Sequence, residues 1–115
     1  MKMTKGTIVL ALFPFTDLTG SKRRPAVIVS SSTKKGDDVI LAFISSKINQ
    51  PIQSTDFVLE KEHHDFNSTG LKVRSIFKMD KIVTLEKRIL RGEIGNVSQP
   101  ILNELNQRLR LALDL

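Results

Sequence analysis

The residues best equipped for chemistry lie in the segment Gly20-Ser21-Lys22-Arg23-Arg24-Pro25-Ala26-Val27-Ile28-Val29. Three cations in a row end against a proline, and a β-branched apolar run begins at once. Proline fixes its own φ and drives the preceding residue towards extended geometry. Arg24 is therefore expected at the last turn of a loop, held by a strand that starts at Ala26. A guanidinium held on a rigid element is better placed to act than one on a mobile tail. The chemistry on offer is the binding and stabilisation of negative charge.

The charge distribution points the same way. Residues 1–36 carry seven cations against Asp17 alone, while residues 37–115 carry eleven charges of each sign. The net charge of +6 thus arises in the first third of the chain. With a pI near 9.9, a polyanionic partner is expected. The chain has no Cys, which excludes a thiolate nucleophile, a cysteine metal site and a disulfide-built scaffold, and fits a cytoplasmic location. No apolar run approaches the roughly 18–20 residues of a membrane span, so no membrane association is expected. Trp and Tyr are absent, leaving Phe alone to stack on bases.

Other candidate groups are set aside. His63-His64-Asp65 could in principle bind a metal, but adjacent ligands on a strand diverge and no further His exists. No metal and no cofactor is expected. Gly92-Glu93-Ile94-Gly95-Asn96 lacks the Lys-Ser/Thr of a phosphate-binding loop.

The elements that must position Arg24 read as mainly β within one domain spanning residues 1–115. Thr7 to Phe13 is a first strand entered through Gly6 and ended by Pro14 and the turn residues to Gly20. Ala26–Ser31 is a second, followed by a polar hairpin loop. Val39–Ser45 is a third, whose nearly continuous apolar run implies cover on both faces. Phe57 to Leu59 is a short fourth, and Leu71 to Met79 a fifth with Leu71, Val73, Ser75, Phe77 and Met79 on one face and Lys72, Arg74, Ile76 and Lys78 on the other. Ile82–Leu85 and Ile89–Ile94 are ambiguous. Ser98 as N-cap, Gln99 at N1 and Pro100 in the first turn then start a helix of about fourteen residues, with Ile101, Leu102, Leu105, Leu109 and Ala112 at helical spacing. Close-spaced short strands before one helix predict a bent antiparallel sheet or small barrel capped by that helix.

These pieces, in this order, resemble the PemK/MazF family of toxins from type II toxin–antitoxin pairs. The resemblance spans nearly the whole chain. It is carried by Lys5-Gly6-Thr7-Ile8-Val9, by Phe13 to Ser21, by Arg24-Pro25-Ala26-Val27-Ile28-Val29, by Ala42-Phe43-Ile44-Ser45-Ser46 and by Phe77-Lys78-Met79-Asp80-Lys81-Ile82-Val83-Thr84-Leu85. It implies an SH3-like barrel with a C-terminal helix, acting as a homodimer. It also implies a metal-independent endoribonuclease that cuts single-stranded RNA, and a cognate antitoxin whose acidic, disordered segment covers the RNA site.

The resemblance further implies roles. RNA carries its own nucleophile, the 2′-hydroxyl, so cleavage needs in-line geometry, stabilisation of the phosphorane and a proton for the leaving oxygen. Arg24 would clamp phosphate oxygens with its fork and stabilise the transition state. Ser45 occupies the position of a family Thr, and Ser46 beside it faces the other way on an extended strand. A shift of one residue exchanges the two. Lys78, Asp80 and Ser21 fall where some members carry Arg, Asp and His. Lys78 keeps the charge without the fork, and Ser21 cannot do the acid–base work of His. Asp80 would accept a hydrogen bond from a base or orient Arg24. Lys22, Arg23, Lys78 and Lys81 would attract the phosphate backbone.

Two other readings stay open. Gyrase-inhibiting toxins share this barrel and act through the end of the terminal helix, although Leu109 to Leu115 here lacks their aromatic terminus. A catalytically weakened RNA-binding relative would fit the Ser at position 45 and the missing His.

Overall fold

The computed structural model describes residues 3–13, 22–47 and 49–115. The elements are β1 (Thr7–Phe13), β2 (Lys22–Ile28), β3 (Asp38–Ser45), β4 (Asp56–Leu59), β5 (Ser75–Glu86), β6 (Leu90–Asn96) and α1 (Gln99–Leu113). Short 3₁₀ turns at Asn67–Thr69 and Lys87–Ile89 flank β5. The six strands form one antiparallel sheet in the order β4-β5-β3-β2-β1-β6. The fold is mainly β with a C-terminal helix, as the sequence predicts.

Both faces of the sheet are buried. Strand alternation sends Ile8, Val27, Ala42, Phe77 and Met79 into one cluster, which α1 covers with Ile101 and Leu105. The neighbouring positions Val9, Ala26, Ile28, Val39 and Leu41 enter a second cluster with Leu90. Burial of each large aliphatic side chain is worth about 1.5–3 kcal/mol. The predicted double cover of β3 holds, since Val39, Leu41, Ala42 and Ile44 are all buried. The helix begins as expected, with the Ser98 side chain accepting from the Ile101 N–H and Pro100 in the first turn.

A second face can be enclosed because the sheet curls. Pairing of β1 with β6 shifts register twice, between Ile8 and Val9 and between Val9 and Ala11. Pairing of β3 with β5 jumps from Ala42↔Ile82 to Phe43↔Lys78, leaving Met79, Asp80 and Lys81 as a bulge in β5. Bulges sharpen local twist and bend the strand that carries them. The gap between the sheet ends is crossed by the Asn67–Thr69 turn, which lies on β6. The crossing is so close that a Cβ on Gly95 would stand 2.4 Å from the Thr69 carbonyl carbon and oxygen.

Several boundaries differ from the sequence reading. β2 begins at Lys22, not Ala26, so Arg24 and Pro25 lie inside a strand and not in a loop. Proline is tolerated there because β3 pairs with β2 only from Ala26 onwards, leaving no ladder on that side to require the missing N–H. β5 starts at Ser75 and absorbs the ambiguous Ile82–Leu85. The second ambiguous stretch is β6. Positions 14–21, which include the expected turn and Ser21, lie outside the described residues.

Candidate active site

The separation of β2 from β3 creates the site. Their register, Ala26↔Phe43, would bring Arg24 opposite Ser45 if it continued for two more residues. Instead the ladder stops and a cavity of about 190 Å³ opens between the strand ends, lined by Arg24, Phe43, Ser45, Lys47, Gln50, Lys78 and Lys81. Four of these are cations, and none of these described lining residues carries a carboxylate. The cavity lies on the face that holds the second apolar cluster, because Arg24 alternates with Ala26 and Ile28, and Ser45 with Phe43 and Leu41.

Each cation is held differently. The Arg24 guanidinium lies over the Phe43 ring, 5.9 Å from its centroid. Its Nε is buried and finds no acceptor among the described residues. A buried donor without a partner is uncommon, and this one borders a cavity able to admit an anion. Lys78, opposite Phe43 on β5, is buried and forms a 3.1 Å ion pair with Asp56. The sequence places Lys78 on the face of β5 opposite Met79 but gives no sign of this buried pairing. The β4–β5 pairing places Asp56 directly beside it, and the carboxylate satisfies the buried ammonium. Lys81 reaches the cavity because the bulge re-aims it. Lys47 and Lys81 are solvent-exposed.

Ser45 is buried at the end of β3, and its Oγ accepts the Lys47 N–H at 3.1 Å. Among the described residues its hydroxyl hydrogen has no acceptor. Ser46 is exposed and lines an adjoining groove with Arg24, Pro25 and Ser45. Arg23 is exposed on the face of β2 opposite to Arg24. Asp80 is exposed on the bulge and does not line the cavity. The Lys22 backbone pairs with Phe13.

Sequence reasoning did not single out Lys47, Gln50 or Asp56. The signal for Lys47 was the two-residue alternation through Phe43 and Ser45. Asp56 lies 22 positions from Lys78, and nothing local connects them. The His63-His64-Asp65 segment forms turns, with the two rings stacked at 4.6 Å. The ligand atoms of the three residues lie within 4.8 Å of one another, and His63 Nδ1 accepts the Asp65 N–H at 3.0 Å.

Curled sheet, capping helix and cationic cleft together define a small bent-sheet protein with four cations gathered at one cavity. Residues 4–113 match the family described as PemK-like, MazF-like toxins of type II toxin–antitoxin systems, and the chain belongs to that family. It is 27% identical over 118 residues to Endoribonuclease MazF of Staphylococcus saprophyticus, covering 98% of this chain and 92% of that protein. Its fold is similar to a mycobacterial endoribonuclease solved in complex with its cognate antitoxin, with a TM-score of 0.77, 20% identity, and coverage of 97% of this chain and 95% of that one. It is likewise similar to the Mycobacterium tuberculosis toxin MazF-mt6, with a TM-score of 0.75, 20% identity, and coverage of 95% and 97%. No helix among the described residues is long and apolar enough to cross a membrane.

Proposed function

We propose that this chain is an endoribonuclease that cuts single-stranded RNA at the Arg24 cavity without a metal ion. The observation that carries the reading is one cavity lined by four cations and a strand-end hydroxyl, with a buried Arg24 N–H left unpaired among the described residues. The named activity of the staphylococcal relative supports it.

The 2′-hydroxyl of the substrate gives its proton to solvent water as its oxygen attacks the adjacent phosphorus, and the bond to the 5′ oxygen breaks. The products are a 2′,3′-cyclic phosphate and a 5′-hydroxyl end. Negative charge accumulates on the non-bridging oxygens in the transition state. Arg24 clamps these oxygens, and the Ser45 hydroxyl donates to one of them. Arg24 is also the group that supplies a proton to the leaving 5′ oxygen. Lys47 and Lys81, the open cations, draw in the backbone. Ser21, Lys22, Arg23, Ser46 and Lys78 also contact the RNA, and Asp80 accepts a hydrogen bond from a base.

The protein acts as a cytoplasmic homodimer. An acidic disordered segment of its antitoxin occupies the same cations as RNA and so blocks cleavage. The mycobacterial relative solved with its cognate antitoxin supports this pairing.

Incubation of a long single-stranded RNA with the protein in excess EDTA tests the reading. Discrete bands with cyclic phosphate ends are expected, and intact RNA would overturn it. Ser45→Ala should lower the cleavage rate by roughly 10- to 100-fold. Its salt dependence should be unchanged, because no cation is lost. A Ser45→Ala rate equal to wild type would remove Ser45 from the mechanism and move the role to Ser46.

A further inference from the structure

The geometry points to Asp56 as a positioning residue that fixes the Lys78 ammonium beside the scissile phosphate. The inference rests on the cleavage reading above. Asp56 and Lys78 are the most buried ion pair among the described residues, with side chains 0% and 6% exposed. Taking two charges out of water costs several kcal/mol per ion, and a buried pair seldom repays this in stability. A buried lysine at this point therefore has another explanation: it borders the cavity shared by Arg24 and Ser45.

The ammonium has three N–H donors, and one goes to Asp56 Oδ2. A lysine stem carries several rotatable bonds and does not hold a point charge still by itself. Asp56 supplies the constraint, and Asp56 is itself secured. Its Oδ2 also accepts the Gln53 N–H at 3.0 Å. Its carbonyl accepts from Arg108 Nε on α1 at 3.4 Å, while the Arg108 guanidinium covers the neighbouring Phe57 ring at 5.5 Å and pairs with Glu104. Helix, β4 and β5 thus converge on one ammonium at the cavity wall. Asp56 Oδ1 is buried and has no partner among the described residues, so the carboxylate is held by its Oδ2 contacts alone.

Asp56→Asn keeps the side-chain shape and removes the charge that holds Lys78. The expected result is a fall in kcat of about tenfold with KM unchanged or lower, since the cavity becomes more positive towards ground-state phosphate. Measured on protein shown to be folded by circular dichroism, the same substitution in a Lys78→Met background should change kcat less than twofold. Asp56→Glu should recover part of the loss. Equal kcat for wild type and Asp56→Asn would overturn the inference while leaving the cleavage reading intact. Equal losses with Lys78 present and with Lys78→Met already in place would overturn it too, since Asp56 would then act independently of Lys78. An unfolded Asp56→Asn would pass the test to Lys78→Met, where wild-type kcat would overturn the inference because the ammonium that Asp56 holds would then contribute nothing. Intact RNA with the wild type would overturn both readings, and it is seen before any variant is compared.

Discussion

Arg24→Ala is expected to lower the rate of RNA cleavage by roughly 10³-fold while the protein stays folded, because one charge-stabilising donor is worth that order in phosphoryl and acyl chemistry. Arg24 is the one guanidinium on the cavity wall, and its Nε is already free of protein acceptors among the described residues. Its removal deletes a contact that forms only with substrate and disturbs little else, beyond an interaction with Phe43 worth about 0.5–1 kcal/mol. The loss should therefore appear in kcat with little change in melting temperature. Arg24→Lys should fall between the two, since it keeps the charge and loses the two-pronged grip. Cleavage time courses of a defined RNA by the three proteins check this. Equal rates for wild type and Arg24→Ala would place the active site elsewhere.

Gly95→Ala should destabilise the fold strongly although it adds a single methyl group. A Cβ there would stand 2.4 Å from the Thr69 carbonyl carbon and oxygen and 2.5 Å from the Ser68 carbonyl oxygen. These are backbone atoms, so no side chain can swing aside. The reciprocal contact is closer still. A Cβ on Gly70 would stand 1.9 Å from the Ile94 carbonyl oxygen, at a residue whose φ of +74° already favours glycine. We expect a cost of about 3 kcal/mol, at the upper end of overpacking. That corresponds to a melting temperature lower by roughly 12 °C for a protein of this size. Thermal unfolding followed by circular dichroism reads it directly, and a shift under 3 °C would show that the turn can lift away from β6.

Much of the fold was legible because its signals are local. Thr7 to Phe13 shows its bounds in the residues themselves, and the start of α1 is written in Ser98, Gln99 and Pro100. The errors came where tertiary context overrides a local rule. Pro25 argued against a strand, but it lies where β2 has already left β3. The burial of Lys78 was not legible because its pairing with Asp56 exists only once β4 lies beside β5. The cavity gathers Arg24, Ser45, Lys78 and Lys81 from the sequence reading. Gln50 follows the end of β3, outside any periodic pattern, so no spacing announced it. Asp80 shares the bulge with Lys81 yet does not line the cavity, a difference that alternation along an unbroken strand cannot express.

That bulge carries a constraint on how this chain can vary. Before it, even-numbered β5 residues such as Lys78 face the same side as Phe43; after it, the odd-numbered Val83 and Leu85 do. Three extra residues act as a parity switch. Losing or gaining one residue between Met79 and Ile82 would invert every later β5 side chain and drive Val83 and Leu85 out of their cluster. Changes of two residues would conserve both faces. Length variation in this stretch is thus quantised in pairs, and the reach of Lys81 can be tuned only in those steps.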